Sequence, residues 1–150
     1  MAGVRHQYLN DRLLRRFPHN APIASSELAA AGITGSLAAY YANSGWLDRL
    51  GRGVYAIPGG TLDRDRCLLF LQERISNLHV GGRTALDWRG SRQYLETNPI
   101  LTLWSARRAP LPEWFVERFP SRLSTHALFT REVEETGMQA PPGLPEGLRV

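Results

Sequence analysis

Between residues 7 and 17 apolar side chains recur at every fourth position. Leu9, Leu13 and Phe17 fall on one face, with Arg12, Arg15 and Arg16 mostly on others. That spacing predicts an amphipathic helix, which Pro18 and Asn20 should end. Ser25 or Ser26 is suited to cap a second, short helix over about 26–31, with Glu27 in its positively polarised first turn. Gly32 stops it. Thr34 then predicts the N-cap of a third helix over 35–44, with Leu37 and Tyr41 one turn apart and facing inward, and Gly45 at its C-terminal stop. From Trp46 the period changes. Residues 46–57 form two short apolar runs around Gly51-Arg52-Gly53, a hairpin pattern whose packing face is Trp46, Leu47, Leu50, Val54 and Tyr55.

The cluster Pro58-Gly59-Gly60 breaks regular structure and predicts a domain boundary, giving 1–60 and 61–150. Beyond it the pattern is mixed. Residues 62–76 carry Leu68, Leu71 and Ile75 on one helical stripe, and residues 83–89 suggest a short helix after Gly81-Gly82. Residues 99–105 suggest a strand, 112–118 a helix opening on Pro112 and Glu113, and 123–130 another strand. This alternation predicts a mixed α/β domain whose pairing order the pattern leaves open. Residues 137–147, rich in Pro and Gly, read as an extended linker or tail.

Charge sharpens the picture. The chain has a net charge of +4 and its basic side chains are all arginine. Residues 1–60 hold six arginines against three acids (Asp11, Glu27, Asp48), whereas residues 61–150 hold twelve against eleven. A basic first segment permits nucleic-acid binding without establishing it. The longest apolar run falls far short of the roughly 20 residues of a membrane-crossing helix. The N-terminus lacks the apolar stretch of a signal peptide. A lone cysteine, Cys67, excludes a disulfide framework. A cytoplasmic protein is expected.

The order helix, short helix, glycine turn, helix, hairpin predicts a winged helix-turn-helix. Gly32-Ile33-Thr34 would be the turn, with Ile33 plugging the gap between the helices. The third helix would enter the major groove of double-stranded DNA. Its exposed face would offer Thr34, Gly35, Ser36, Ala39, Tyr40 and Asn43. That helix has no arginine, so phosphate neutralisation falls to Arg49 and Arg52 in the wing and to Arg12, Arg15 or Arg16 on the first helix. The fold class is therefore α+β: an N-terminal winged helix-turn-helix followed by a small mixed α/β domain.

Three motifs then carry a family resemblance: Gly-Trp-Leu at 45–47, Leu-Gly-Arg-Gly-Val-Tyr at 50–55, and His-Val-Gly-Gly-Arg-Thr-Ala-Leu at 79–86. In this combination, over about residues 8–105, the chain resembles the AbiEi family of antitoxins from prokaryotic type IV toxin–antitoxin systems. The resemblance implies an N-terminal winged helix that represses its own operon by binding promoter repeats. It also implies a C-terminal antitoxin domain acting, directly or indirectly, against a toxin that resembles nucleotidyltransferases. Residues 61–150 would begin that antitoxin-like domain, and the chain would be a fragment or a truncation of a longer protein. Family members often carry basic or amide residues where this chain has Gly35, Ser36 and Ala39, so an operator sequence does not carry over.

Rival chemistry is thinner. Asp63 and Asp65 form an Asp-X-Asp pair but lack the third carboxylate and phosphate grip of nucleotidyl transfer, and they suit a helix's first turn. Cys67 and His79 are too few for a zinc site. Ser91, His79 and Asp87 have no nucleophile elbow. Gly81-Gly82-Arg83-Thr84 could bind an anion at a helix start but reads more simply as a sharp strand-to-helix turn with local Arg83 or Thr84 contacts. Trp104, Trp114 and Phe115 could form a partner surface, though their spacing suits a core. The expectation is a sequence-specific DNA-binding transcriptional repressor and antitoxin, not an enzyme, with no cofactor or metal. The alternative is a protein-interaction module that neutralises a toxin without binding DNA.

Overall fold

The structure is a computed structural model that describes residues 15–91, 97, 99–125 and 140–150. The first predicted helix, with Arg12, lies outside the described residues save for its end, where residues 15 and 16 are helical. The chain divides into two compact units at Arg66/Cys67.

The first unit runs β1 (Ile23–Ala24), α1 (Ser25–Ala30), α2 (Gly35–Asn43), β2 (Asp48–Gly51) and β3 (Val54–Ala56). The expected short helix, third helix and hairpin are all present. Neither Ser25 nor Ser26 caps α1, however. Ala24 occupies the N-cap, and the Glu27 carboxylate reaches back to accept its N–H at 2.6 Å. The reason is β1, a strand the periodicity did not announce. Ile23 and Ala24 pair antiparallel with Tyr55 and Val54, and the Ser25 N–H donates to the Gly53 carbonyl, so the chain passes directly from strand into helix. The resulting sheet has the order β1-β3-β2.

Both helices end by the same device. After α1, the N–H of Ile33 donates to the Leu28 carbonyl and that of Gly32 to the Ala29 carbonyl. After α2, Trp46 donates to Tyr41 and Gly45 to Ala42 in the same pattern. This pair of hydrogen bonds requires a left-handed residue at the turn. Gly32, with φ +86°, supplies it between the helices, where a side chain would be strained. The bonds also pull Ile33 onto Leu28 and Trp46 onto Tyr41, into a core of Ile23, Leu28, Ile33, Ala38, Tyr41, Leu47, Tyr55 and Ile57. Each fully buried large apolar side chain there contributes about 1.5–3 kcal/mol.

The second unit carries a second three-stranded sheet, order β4-β5-β6, from β4 (His79–Val80), β5 (Leu101–Trp104) and β6 (Ser121–Ser124). Around it lie α3 (Arg64–Gln72), whose first residues belong to the first unit, α4 (Gly82–Trp88) and α5 (Glu113–Arg118). β5 and β6 are parallel, with α5 as their crossover, while β4 is antiparallel to β5. α3 stops short of the expected 76. Asn77 turns left-handed at φ +54° and delivers the fully buried Leu78 to the start of β4. Residues 126–130 of the last expected strand lie outside the described residues.

The three residues that follow the expected linker of 137–147 are docked. Leu148 and Val150 are buried. The Arg149 carbonyl accepts from the Val80 N–H and from Gln72 Nε2, while the Arg149 N–H donates to Gln72 Oε1. Two apolar residues after the last Pro-Gly turn, Leu148 and Val150 flanking Arg149, are thus buried while Arg149 completes backbone bonds to distant residues.

Candidate nucleic-acid interface

α2 presents the expected face. At 100° per residue, Gly35, Ser36, Ala39, Tyr40 and Asn43 span one continuous arc of about 140°, and all five are exposed. The opposite side carries buried Ala38 and Tyr41, with Leu37 and Ala42 half-buried against the core. Burial of that side fixes the helix, so the five residues face outward as a set. Thr34 has a separate task. Its hydroxyl oxygen accepts the Leu37 N–H at 3.3 Å, so it caps α2 and stands at the margin of the face. Ser36 and Asn43 make no hydrogen bond to described residues through their side chains.

The hairpin follows at once. Trp46 and Leu47 N–H groups both donate to the Tyr41 carbonyl, at 2.9 and 3.2 Å, tying the root of the hairpin to the end of α2. β2 and β3 then pair with an irregularity between Arg49 and Gly51. Arg52 occupies the exposed tip, and Arg49 is exposed on β2. Trp46, Leu50 and Val54 of the expected packing face are half-buried, and Leu47 and Tyr55 are buried. Arg15 and Arg16 are exposed; Arg12 lies outside the described residues.

Tyr41 carries an unusual feature. Its side chain is buried, yet its hydroxyl has no hydrogen-bond partner among the described residues. Burial, and secondarily the neighbouring Tyr40 phenol, push its pKa above the ordinary phenol value.

Several of the rival residues are engaged in local structure. Asp63 Oδ1 accepts the Arg66 N–H at 3.0 Å, capping α3, and Asp65 pairs with Arg64 at 2.8 Å. Among the described residues no cluster of three metal-ligating side chains occurs. Cys67 is fully buried, and His79 Nδ1 lies 2.9 Å from the Asn77 carbonyl oxygen. Gly81-Gly82-Arg83-Thr84 is a strand-to-helix turn. The Gly81 N–H donates to the Thr102 carbonyl, and Thr84 Oγ1 accepts the Thr102 N–H at 2.9 Å. Trp114 and Phe115 are buried in an aromatic cluster with Phe70 and Phe119. They offer no partner surface. Among the described residues no helix is long and apolar enough to cross a membrane.

Helix, glycine turn, helix and a three-stranded wing sheet define the class: a winged helix-turn-helix followed by a mixed α/β unit. The family comparison is direct. A model described as transcriptional regulator, AbiEi antitoxin N-terminal domain, matches residues 6–97, and the chain belongs to that family. It is a family of transcriptional regulators and antitoxins. The comparison with curated proteins returns no match. Among solved structures, the chain is similar to the crystal structure of the RV2827C protein from Mycobacterium tuberculosis. The TM-score is 0.50 at 18% identity, over 81% of this chain and 45% of that one. At that identity the likeness speaks for the fold alone, and the chain spans under half the length of the protein it matches.

Proposed function

We propose that this protein is a sequence-specific, double-stranded DNA-binding transcriptional repressor that autoregulates a toxin–antitoxin operon and acts as its antitoxin. The observation that carries the reading is the exposed arc of α2. Five small or polar residues face outward on a helix anchored by its buried side, on the element that a winged helix-turn-helix presents to the major groove. Arg49 and Arg52 on the wing, with Arg16 and the sequence-predicted Arg12, supply phosphate contacts. Thr34 adds a hydroxyl at the margin of the face. The partners are promoter repeats and a nucleotidyltransferase-like toxin, reached directly or indirectly. The protein acts in the cytoplasm and by binding rather than catalysis, since the Asp63/Asp65 and Gly-Gly-Arg-Thr motifs are engaged in local structure.

The test is an anisotropy titration of the 150-residue chain against DNA upstream of its own gene, at two salt concentrations, with random duplex as competitor. Specific, salt-sensitive binding is expected. Absence of binding at low salt would overturn the reading in favour of a module that neutralises a toxin by protein contact alone.

A further inference from the structure

The chemistry of the α2 face is narrower than that of a general DNA-reading helix, and this narrowness says which bases it reads. Its five exposed residues include no arginine, lysine, aspartate or glutamate. In the major groove guanine shows two acceptors, N7 and O6, whose usual partner is a cationic donor fork; the cytosine amino group is usually read by a carboxylate. Neither partner is on this face. What it holds instead is a methyl group at Ala39, a carboxamide at Asn43, and hydroxyls at Ser36 and Tyr40. A methyl packs against the thymine C5-methyl, and a carboxamide matches adenine N6 and N7 bidentately. Hydroxyls accept either base or bond phosphate.

Reach points the same way. Gly35 and Ala39, one turn apart, leave α2 nearly bare along one line, so its backbone can approach the groove floor closely enough for short side chains to touch base edges. Ala39 and Asn43 are also one turn apart, about 6 Å along the axis. That is close to two base-pair steps of about 3.4 Å.

We infer that α2 reads A·T pairs, with a thymine methyl against Ala39, an adenine against Asn43 about two base pairs away, and no bidentate cationic contact to guanine from the helix. This rests on the DNA-binding reading above. Gly35 offers an independent handle. An added Cβ there meets nothing within 4 Å, and its φ is not positive, so a long side chain can be introduced at the N-terminal end of the face without disturbing the fold.

The experiment is selection of the 150-residue chain on a random duplex library, followed by anisotropy on single-substitution duplexes at fixed salt. The selected site is expected to contain A·T pairs at the positions whose preference relaxes in Asn43→Ala and Ala39→Gly. Replacing such a pair by G·C should weaken wild-type binding about five- to hundredfold and leave the matching variant nearly unaffected. Gly35→Arg should add selection for a guanine at one further position. Preference for G·C at the positions that these variants relax would overturn the inference. So would salt-sensitive binding with no sequence selection, which leaves DNA binding standing. Failure to bind any duplex at low salt overturns the DNA-binding reading together with the inference built on it.

Discussion

Two short glycine–arginine motifs sit in the two units and do different work. In the first, Gly51-Arg52-Gly53 turns one antiparallel strand into the next. Gly53 takes φ +68°, its carbonyl receives the Ser25 N–H, and Arg52 is left exposed at the tip. In the second, Gly81-Gly82-Arg83 turns a strand into a helix. There the demand is for space: a Cβ on Gly81 would fall inside the Trp104 indole. The neighbouring Thr84 is bound to the Thr102 backbone. Both motifs use one glycine for a left-handed turn, Gly53 and Gly82, but the second also commits Gly81 to packing under Trp104.

The contrast can be broken most forcefully at Gly81. Gly81→Val must displace Trp104 or the β4–α4 turn, and should cost about 3 kcal/mol of stability. Urea denaturation followed by tryptophan fluorescence reads this; an unchanged midpoint would show that the close approach constrains nothing. Thr84→Val removes the acceptor of a part-buried N–H and should cost about 2 kcal/mol in the same assay. A variant as stable as wild type would mean that water replaces the hydroxyl.

At the other motif the effect should move from stability to binding. Arg52→Ala is expected to leave the denaturation midpoint in place, weaken binding to all duplexes alike, and reduce the salt slope by about one. Loss confined to one sequence would place Arg52 on a base instead of a phosphate.

The smallest effect concerns neither loop but the packing behind the α2 face. Tyr41→Phe removes an unpartnered buried hydroxyl and should stabilise the protein by about 1 kcal/mol. The sign with pH follows from linkage. The folded-state phenol has a raised pKa, so the unfolded chain loses its proton first as pH rises. The stability attached to Tyr41 is complete below about pH 10 and falls as pH climbs from there through the folded value. Thermal melts across that alkaline window should show the decline in wild type and a smaller one in Tyr41→Phe; identical slopes would assign the decline to other groups.

How much of this was legible beforehand varies with the range of the interaction. The exposed arc of α2 was readable because helical period, Thr34 as cap and Gly45 as stop are all set within the twelve residues 34–45. Ile33 was placed correctly for the same reason. β1 was not, because two residues carry no period, and Ile23 and Ala24 become a strand only through Tyr55 and Val54. The cap of α1 was misassigned to Ser25 or Ser26 because β1 carries the chain straight into the helix at Ala24.

By itself, then, the sequence determined the local elements: the two helices joined at Gly32, the outward set Gly35, Ser36, Ala39, Tyr40 and Asn43, the hairpin around Arg52, and the α+β class. Tertiary structure alone decided that Gly81 seats beneath Trp104, that β5 and β6 run parallel, and that Leu148 and Val150 are buried beside Arg149, whose backbone bonds Gln72, 77 residues away, and Val80. The physical reason is that backbone groups and apolar surface must be satisfied somewhere, and a sequence window shows the need without showing which distant strand, ring or carbonyl will meet it.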